Sequence, residues 1–189
     1  MGQVFTEIDD RLADFLRRQP VFFVATAPLA GDGLINLSPK GLAGTFEVLG
    51  PTTVAYLDLT GSGIEIVAHV RENRRIVLMF CAFEGEPLIV RLWGRGEVLE
   101  PSHPEFQGLM ERFPEHPGAR SIVRVECGRI QEACGYGVPV MEYAGERSEL
   151  IDYAERQGEE GLSAYRARKN RRSLDGLPGL EDLPDESRG

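Results

Sequence analysis

Six short strand-like runs, most of them rich in β-branched and aromatic residues and set close together, constrain the fold more than any other feature of this sequence. They are Val21 to Ala27, Leu34 to Lys40, Thr52 to Asp58, Arg75 to Phe83, Leu88 to Glu100 and Arg120 to Ile130. Such runs are short for buried helices, and their branched or flat side chains suit a pleated surface. Turn signals separate them: Gly31-Asp32-Gly33, a glycine-rich connection from Gly41 to Gly50, and Glu84-Gly85-Glu86-Pro87. Six strands at short spacing, with helices inserted, predict a mainly β fold, a six-stranded antiparallel barrel instead of a doubly wound parallel sheet. Val21 to Ala27 reads as a strand buried on both faces. In the fifth run Gly94 and Gly96 share the leucine-bearing face, which marks a bend, bulge or close backbone approach, as at a barrel corner.

Helical spacing is confined to the connections and the C-terminal part. Thr6, with Asp9 three residues on, can cap a first helix carrying Ile8, Leu12, Phe15 and Leu16, which Pro20 stops. Ile64 to Asn73 and a short segment around Phe106, Leu109, Met110 and Phe113 are further helices. After Gln131 come a glycine-punctuated stretch, Cys134 to Pro139, and two amphipathic patterns around Leu150, Ile151 and Ala154, then Leu162 and Tyr165. The cluster Arg166, Arg168, Lys169, Arg171 and Arg172 reads as a solvated helix end, Ser173 to Pro178 as a turn-rich tail, and the last residues are expected to fray. The expected organisation is residues 1–132 as the barrel and 133–189 as a helical extension wrapping the barrel or a second subunit.

Composition removes several classes of function. A net charge of −9 argues against general binding to nucleic acid or to an anionic membrane, both of which need clustered positive charge. Cys81, Cys127 and Cys134 are odd in number and lack a CxxC spacing, so reduced thiols are expected. With no basic-then-apolar leader and no apolar segment near the roughly 18 residues of a spanning helix, a cytoplasmic location is expected. No GxSxG, P-loop or HExxH pattern is present, and His103 and His116 have no companions at metal-ligand spacing.

Two places carry chemistry. Alternation puts Asn36, Ser38 and Lys40 on one face of the second run, opposite Ile35 and Leu37; this is either an ordinary wet face or a row of donors beside a polar ligand. Thr60-Gly61-Ser62-Gly63 then joins a strand, with Val54, Tyr56 and Asp58 on one side, to a helix start. Exposed N–H groups and glycines there suit an anion, with Arg74 or Arg75 able to add charge. Ser62-Gly63-Ile64-Glu65 is equally a capping box, and both readings stand. Trp93, the single tryptophan, fits rim or interface packing as well as ligand contact.

The segments INLSPKG (Ile35 to Gly41), VAYLDLTGSGIEIVAHVRENRRIVLMF (Val54 to Phe80) and PLIVRLWGRGEVLE (Pro87 to Glu100) together resemble the pyridoxamine 5′-phosphate oxidase-like family of flavin-binding split barrels. The resemblance runs from about Val21 to Ile130. Its C-terminal part, CGYGVPVMEY through KNRRSLDGLP, looks like that of an uncharacterised subgroup. It implies a six-stranded split barrel, a homodimer, and FMN in two symmetric clefts at the subunit interface. It also implies that Lys40 lies close to flavin and substrate with Asn36 and Ser38 in the same cleft, and that Tyr56 and Leu57 contact the flavin with Asp58 and Thr60 just beyond. Where the oxidase carries an Arg-Lys pair for the FMN phosphate, this chain has Glu65 and Ile66. The phosphate would then fall to backbone N–H groups around Gly63, to Ser62 and Thr60, and to Arg75, Arg95 or the basic cluster, with Trp93 as a further flavin contact. The function implied is FMN binding and flavin-dependent oxidoreduction of a small molecule, other than pyridoxamine-phosphate oxidation itself. The alternatives are a non-catalytic dimeric ligand-binding barrel, or a related enzyme using deazaflavin or haem.

Overall fold

A computed structural model describes residues 2–184. Its order is β1 (Val4–Phe5), α1 (Asp10–Arg18), β2 (Val21–Thr26), β3 (Asn36–Gly41), β4 (Phe46–Val48), β5 (Thr53–Leu59), α2 (Glu65–Asn73), β6 (Arg75–Cys81), β7 (Ile89–Leu99), α3 (Phe106–Met110), β8 (Ala119–Ala133) and α4 (Glu149–Lys169). The strands form one antiparallel sheet in the order β3-β2-β6-β7-β8-β5-β4, and β1 adds to β8. The six expected strands are all present. The two extra ones are too short for a pattern to reveal, and β4 lies inside the stretch expected to be a plain connection.

Local chemistry sets the helix ends. Asp9, not Thr6, caps α1: its Oδ1 accepts the Leu12 N–H at 2.8 Å. Pro20 ends that helix by holding Gln19 extended. The capping box at α2 does not form either. Ile64 holds the cap position with no side-chain bond, and Glu65 Oε2 accepts the Ile64 N–H at 3.0 Å while Ser62 stays exposed.

The sheet curls around a core in which Phe22, Val24, Tyr56, Leu78, Phe80, Leu92 and Val125 meet α1 and α2. Phe22, Phe46 and Phe80 form an aromatic stack here, with ring centroids 4.9 to 5.4 Å apart. A second core of Ala55, Leu57, Leu99, Phe106, Phe113 and Ile122 lies on the other face of β5, β7 and β8, where α3 covers it. β2 is buried on one face only: Phe22, Val24 and Thr26 point in, whereas Val21, Phe23 and Ala25 are half-buried. That corrects the expectation of burial on both faces.

β7 bends where its glycines lie. The register slips between Trp93 and Gly94, and a Cβ on Gly94 would meet Val125 Cγ1 at 2.6 Å and the Glu126 carbonyl oxygen closer still. Only a residue without a side chain lets β7 and β8 approach this closely. α4 breaks at Gly158, whose φ of 60° is left-handed, so two helical pieces follow one another, as their separate patterns predicted. No helix of the described residues is long and apolar enough to cross a membrane.

Gly94→Ala is expected to cost about 1–3 kcal/mol, the range for forcing atoms into a packed site. Gly50→Ala, where a Cβ meets nothing within 4 Å, is expected to stay within about 0.5 kcal/mol of wild type. Urea unfolding of the two variants measures the difference, and equal stabilities would show that the β7–β8 approach is not tight.

Candidate functional site

The two outer strands of the sheet, β3 and β4, share no backbone ladder, so the barrel is split between them. A side chain spans the gap: Lys40 Nζ on β3 reaches Asp58 Oδ1 on β5 at 2.8 Å. Asp58 is 1% exposed, and its second oxygen takes Arg120 Nε from β8 at 2.7 Å and the Ser121 hydroxyl at 3.4 Å. Burial pushes this carboxyl's pKa up, but the adjacent Arg120 and Lys40 charges outweigh it and hold the group well below the usual carboxylate range.

Arg120, itself 4% exposed, spends its remaining donors on the turn before α2. Its Nη1 donates to Gly61 O at 3.1 Å and to Asn170 Oδ1 at 2.9 Å, and its Nη2 to Gly63 O at 2.8 Å. Asn170, fully buried just past α4, adds a bond from Nδ2 to Gly61 O at 2.9 Å. The Gly61 and Gly63 carbonyls are thereby drawn inward. Among the described residues the N–H groups of Ser62 and Gly63 donate to no protein atom, and both residues are exposed. Arg166 of α4 donates from Nε to Thr60 Oγ1 at 2.8 Å and from Nη2 to Ala119 O at 2.9 Å. Arg166 is therefore part of the site, which corrects its reading as a member of a solvated helix end.

The candidate residues of β3 face inward. Asn36, Ser38 and Lys40 stand opposite Thr26, Val24 and Phe22 on β2, while Leu37 on the other face is 65% exposed. The usual arrangement, apolar in and polar out, is inverted on this strand. Ser38 donates to Asn36 Oδ1 at 3.0 Å, and Asn36 Nδ2 is buried without a partner. Next to them Thr26 Oγ1 lies 3.0 Å from Nδ1 of His69, a fully buried residue of α2 whose Nε2 is also unpartnered. Burial lowers the His69 pKa, and Asp175, Glu65 and Glu72 raise it by less. The Asp175 carboxylate, 4.0 Å from His69 Nε2, accepts the Leu34 N–H at 3.0 Å, so the C-terminal segment closes over this end of β3.

The sequence candidates thus divide. Hydrogen bonds link Lys40, Asp58 and, through Arg120, the turn that holds Ser62 and Gly63, with Thr60 beside it, and Asn36 and Ser38 share the inward face of β3 with Lys40. Tyr56 lies beneath it, fully buried, with Lys40 Nζ 5.8 Å from its ring centroid and its hydroxyl unpartnered. Leu57 points the opposite way, into the core under α3. Arg75, Trp93 and Arg95 lie on the outer face of β6 and β7, where Arg75 pairs with Arg95 in register and Arg129 sits over the Trp93 ring at 6.0 Å. Within one chain these three do not join the Lys40 cluster. Arg120, Asn170, His69 and Asp175 escaped the sequence reading. His69 is a single polar residue on an apolar helix stripe, and Asn170 is one polar residue in a charged run, so neither carries a spacing signal.

The segment after α4 is ordered by its own contacts through Pro184. Leu180 packs on Ile64 and Val67, and Glu100, 5% exposed, accepts the Glu181 and Asp182 N–H groups and pairs with Arg71. The expectation of fraying for the final residues falls on 185–189, outside the described residues.

Asp58 has a depressed folded pKa, so its ion pairs contribute fully above the unfolded carboxyl's value of about 3.9 and are lost as pH falls below it. Asp58→Asn is expected to cost about 3–5 kcal/mol at pH 7, because it leaves Arg120 and Lys40 without a counter-charge. It should also flatten the decline of stability below about pH 4. Urea unfolding from pH 7 to pH 3 measures both, and a loss under about 1 kcal/mol at neutral pH would show that the cluster does not hold the barrel.

Comparison with known proteins identifies the family of the chain. A family model described as pyridoxamine 5′-phosphate oxidase matches residues 8–134. The pyridoxamine 5′-phosphate oxidase family protein ustO of Aspergillus flavus is 40% identical over 192 aligned residues, covering 93% of this chain and 77% of that protein. Coverage that high takes in most of the segment after residue 134 as well. Among solved structures, a variant of HupZ from Group A Streptococcus superposes with a TM-score of 0.51 at 19% identity, covering 67% of this chain and 99% of that one. An FMN-binding protein from Syntrophomonas wolfei subsp. wolfei gives 0.48 at 14% identity, with 66% and 88% covered. The family match over residues 8–134, together with a relative 40% identical along nearly the full chain, shows that this protein belongs to the pyridoxamine 5′-phosphate oxidase family.

Proposed function

We propose that this chain binds FMN and works as a flavin-dependent oxidoreductase on a small molecule, as a homodimer. The observation that carries the reading is the buried, unpartnered Asn36 Nδ2 in the inward row with Ser38 and Lys40, beside a turn whose Ser62 and Gly63 N–H groups face outward. Asn36 and Lys40 offer donors to the polar edge of a flavin ring. The turn offers N–H groups and the Ser62 hydroxyl to its phosphate. The cationic field that the Arg-Lys pair supplies in the oxidase comes here from Arg120 and Arg166, on other elements and behind the turn. When bound, the flavin supplies the hydride chemistry. The chain's part is to hold the ring, fix Lys40 beside Asp58, and exclude water.

The dimer reading rests on the apolar surface of β3 and its neighbours. Leu29, Leu34, Ile35 and Leu37 are 52 to 80% exposed, and Phe23, Val77, Met79 and Trp93 are half-buried on the outer face of the same sheet. A surface of this kind marks an interface. A partner packed there would bring Arg75, Trp93 and Arg95 of one chain towards the β3 edge of the other. One observation favours a non-flavin barrel: the Glu65 carboxylate occupies the start of α2, accepting the Ile64 N–H and, at 3.3 Å, the Leu174 N–H.

The freshly purified protein is expected to show flavin absorbance bands, or to gain them on saturable binding of added FMN. Lys40→Ala and Ser62→Ala should each weaken FMN binding about tenfold, or about 1.4 kcal/mol. A colourless protein that ignores FMN would reject the flavin reading in favour of the second, and unchanged affinity in both variants would place the flavin elsewhere. Sedimentation should give a dimer for wild type and a monomer for Ile35→Asp combined with Leu37→Asp; a monomeric wild type would refute the interface.

A further inference from the structure

A cleft of about 1050 Å3 opens at the barrel end where β2 begins, away from the Thr26–His69 pair at the end of that strand. It is at the large end of the range for small-molecule sites, roughly 300–1,000 Å3. Neither the Asn36–Ser38–Lys40 row nor the Asp58–Arg120 cluster nor the Thr60–Gly63 turn lines it. It is therefore separate from the proposed flavin site, and the inference does not rest on that proposal.

The cleft has a rigid floor, a fixed wall and a light roof. Phe22 and Phe46, with ring centroids 5.4 Å apart in the aromatic stack, form the floor. One wall is the loop after β3, where Leu42 has a left-handed φ of 74°, a conformation a branched side chain rarely adopts. Thr45 pins that loop: its hydroxyl donates to Gly41 O and Leu42 O, each at 2.8 Å, and its N–H to Leu42 O at 3.2 Å. Strain held in place by its surroundings is characteristic of ligand clamps. The roof is the extended segment 141–146, tied down by Met141 N–H to Phe83 O at 2.9 Å, Tyr143 N–H to a Glu84 carboxylate oxygen at 3.0 Å, and Ala43 N–H to Glu146 Oε1 at 2.5 Å. Met141 and Tyr143 are still 53% and 51% exposed, so the roof carries apolar surface that its own fold leaves uncovered.

Charge selects among apolar ligands. Three arginines line the cleft, but Arg17 is paired with Glu47 at 2.6 Å and Arg11 with Glu132 at 2.7 Å. That leaves Arg18 against Glu84, Glu86, Glu142 and Glu146. An aromatic interior under an acidic rim is complementary to a flat ring that carries a positive charge. We propose that this cleft binds an aromatic amine, its ring between the Phe22–Phe46 floor and the Met141–Tyr143 roof, its ammonium group towards Glu86 and Glu142.

Isothermal titration of the full chain with tryptamine, and separately with its anionic isostere indole-3-propionate, tests the proposal. Tryptamine is expected to bind saturably, one per chain, about tenfold more tightly than indole-3-propionate at low salt. Glu86→Gln combined with Glu142→Gln should bring the two affinities to within about twofold. Ala43→Trp, at an exposed position in the mouth, should abolish binding while leaving the thermal melt unchanged. No saturable binding of tryptamine would remove the site, and equal affinity of the wild type for the two indoles would remove the amine assignment. Wild-type affinity in a folded Ala43→Trp variant would place the indole elsewhere. FMN absorbance, read on the same samples, reports on the flavin site independently.

Discussion

The carboxylate of Asp58 joins side chains from distant parts of the chain. It takes Lys40 from one edge of the split sheet and Arg120 from the long central strand β8, and through Arg120 it fixes Asn170 beyond α4. Enclosing three charges carries a large desolvation cost, offset only where geometry is good and the remaining donors are satisfied. Here they are satisfied: the rest of the Arg120 fork ends on the Gly61 and Gly63 carbonyls. One interaction thus closes the barrel gap, shapes the turn before α2 and docks the C-terminal segment. A site built this way inherits its precision from the barrel, because Lys40, Asp58 and Arg120 are held by strands and the turn before α2 is tied to them.

The inversion of β3 follows from the same arrangement. A strand that must send Lys40 inward to Asp58 has to send its alternate residues outward, and those are Ile35, Leu37 and Pro39. The apolar exterior and the polar interior are two consequences of one register. A polar row inside a barrel needs partners, and Asn36 Nδ2 and His69 Nε2 still lack them. The exterior has an unmet need of the opposite kind, since its apolar area stays in water in a single chain.

The C-terminal segment is structural in a way its composition hides. Arg166 and Asn170 point into the barrel, Asp175 closes over β3, and Leu180 with Glu100 fastens the end against α2. A charged, turn-rich run of this composition ordinarily stays solvated, because ordering it costs more entropy than a few surface contacts return. Here buried hydrogen bonds to Thr60, Gly61 and Arg120 hold it in place.

The sequence by itself determined six of the strands, the bend at Gly94, the break in α4 and the shared face of Asn36, Ser38 and Lys40. These depend on alternation, on side-chain shape and on the space a Cβ needs, all properties of residues near one another in the chain. It misjudged the cap at Thr6 and left Ser62 open between cap and anion site, since several nearby side chains compete for the same N–H groups and small differences in backbone angle decide. Only the tertiary structure decided which face of β3 is inside, that Leu57 turns away from Tyr56's core, and that Trp93 and Arg95 lie apart from Lys40. It alone joined Asp58 to Arg120, 62 positions away, and to Asn170 through it. Pairing between distant charges leaves no period in a sequence: it depends on which strands become neighbours, and that is settled by how the whole apolar surface is buried.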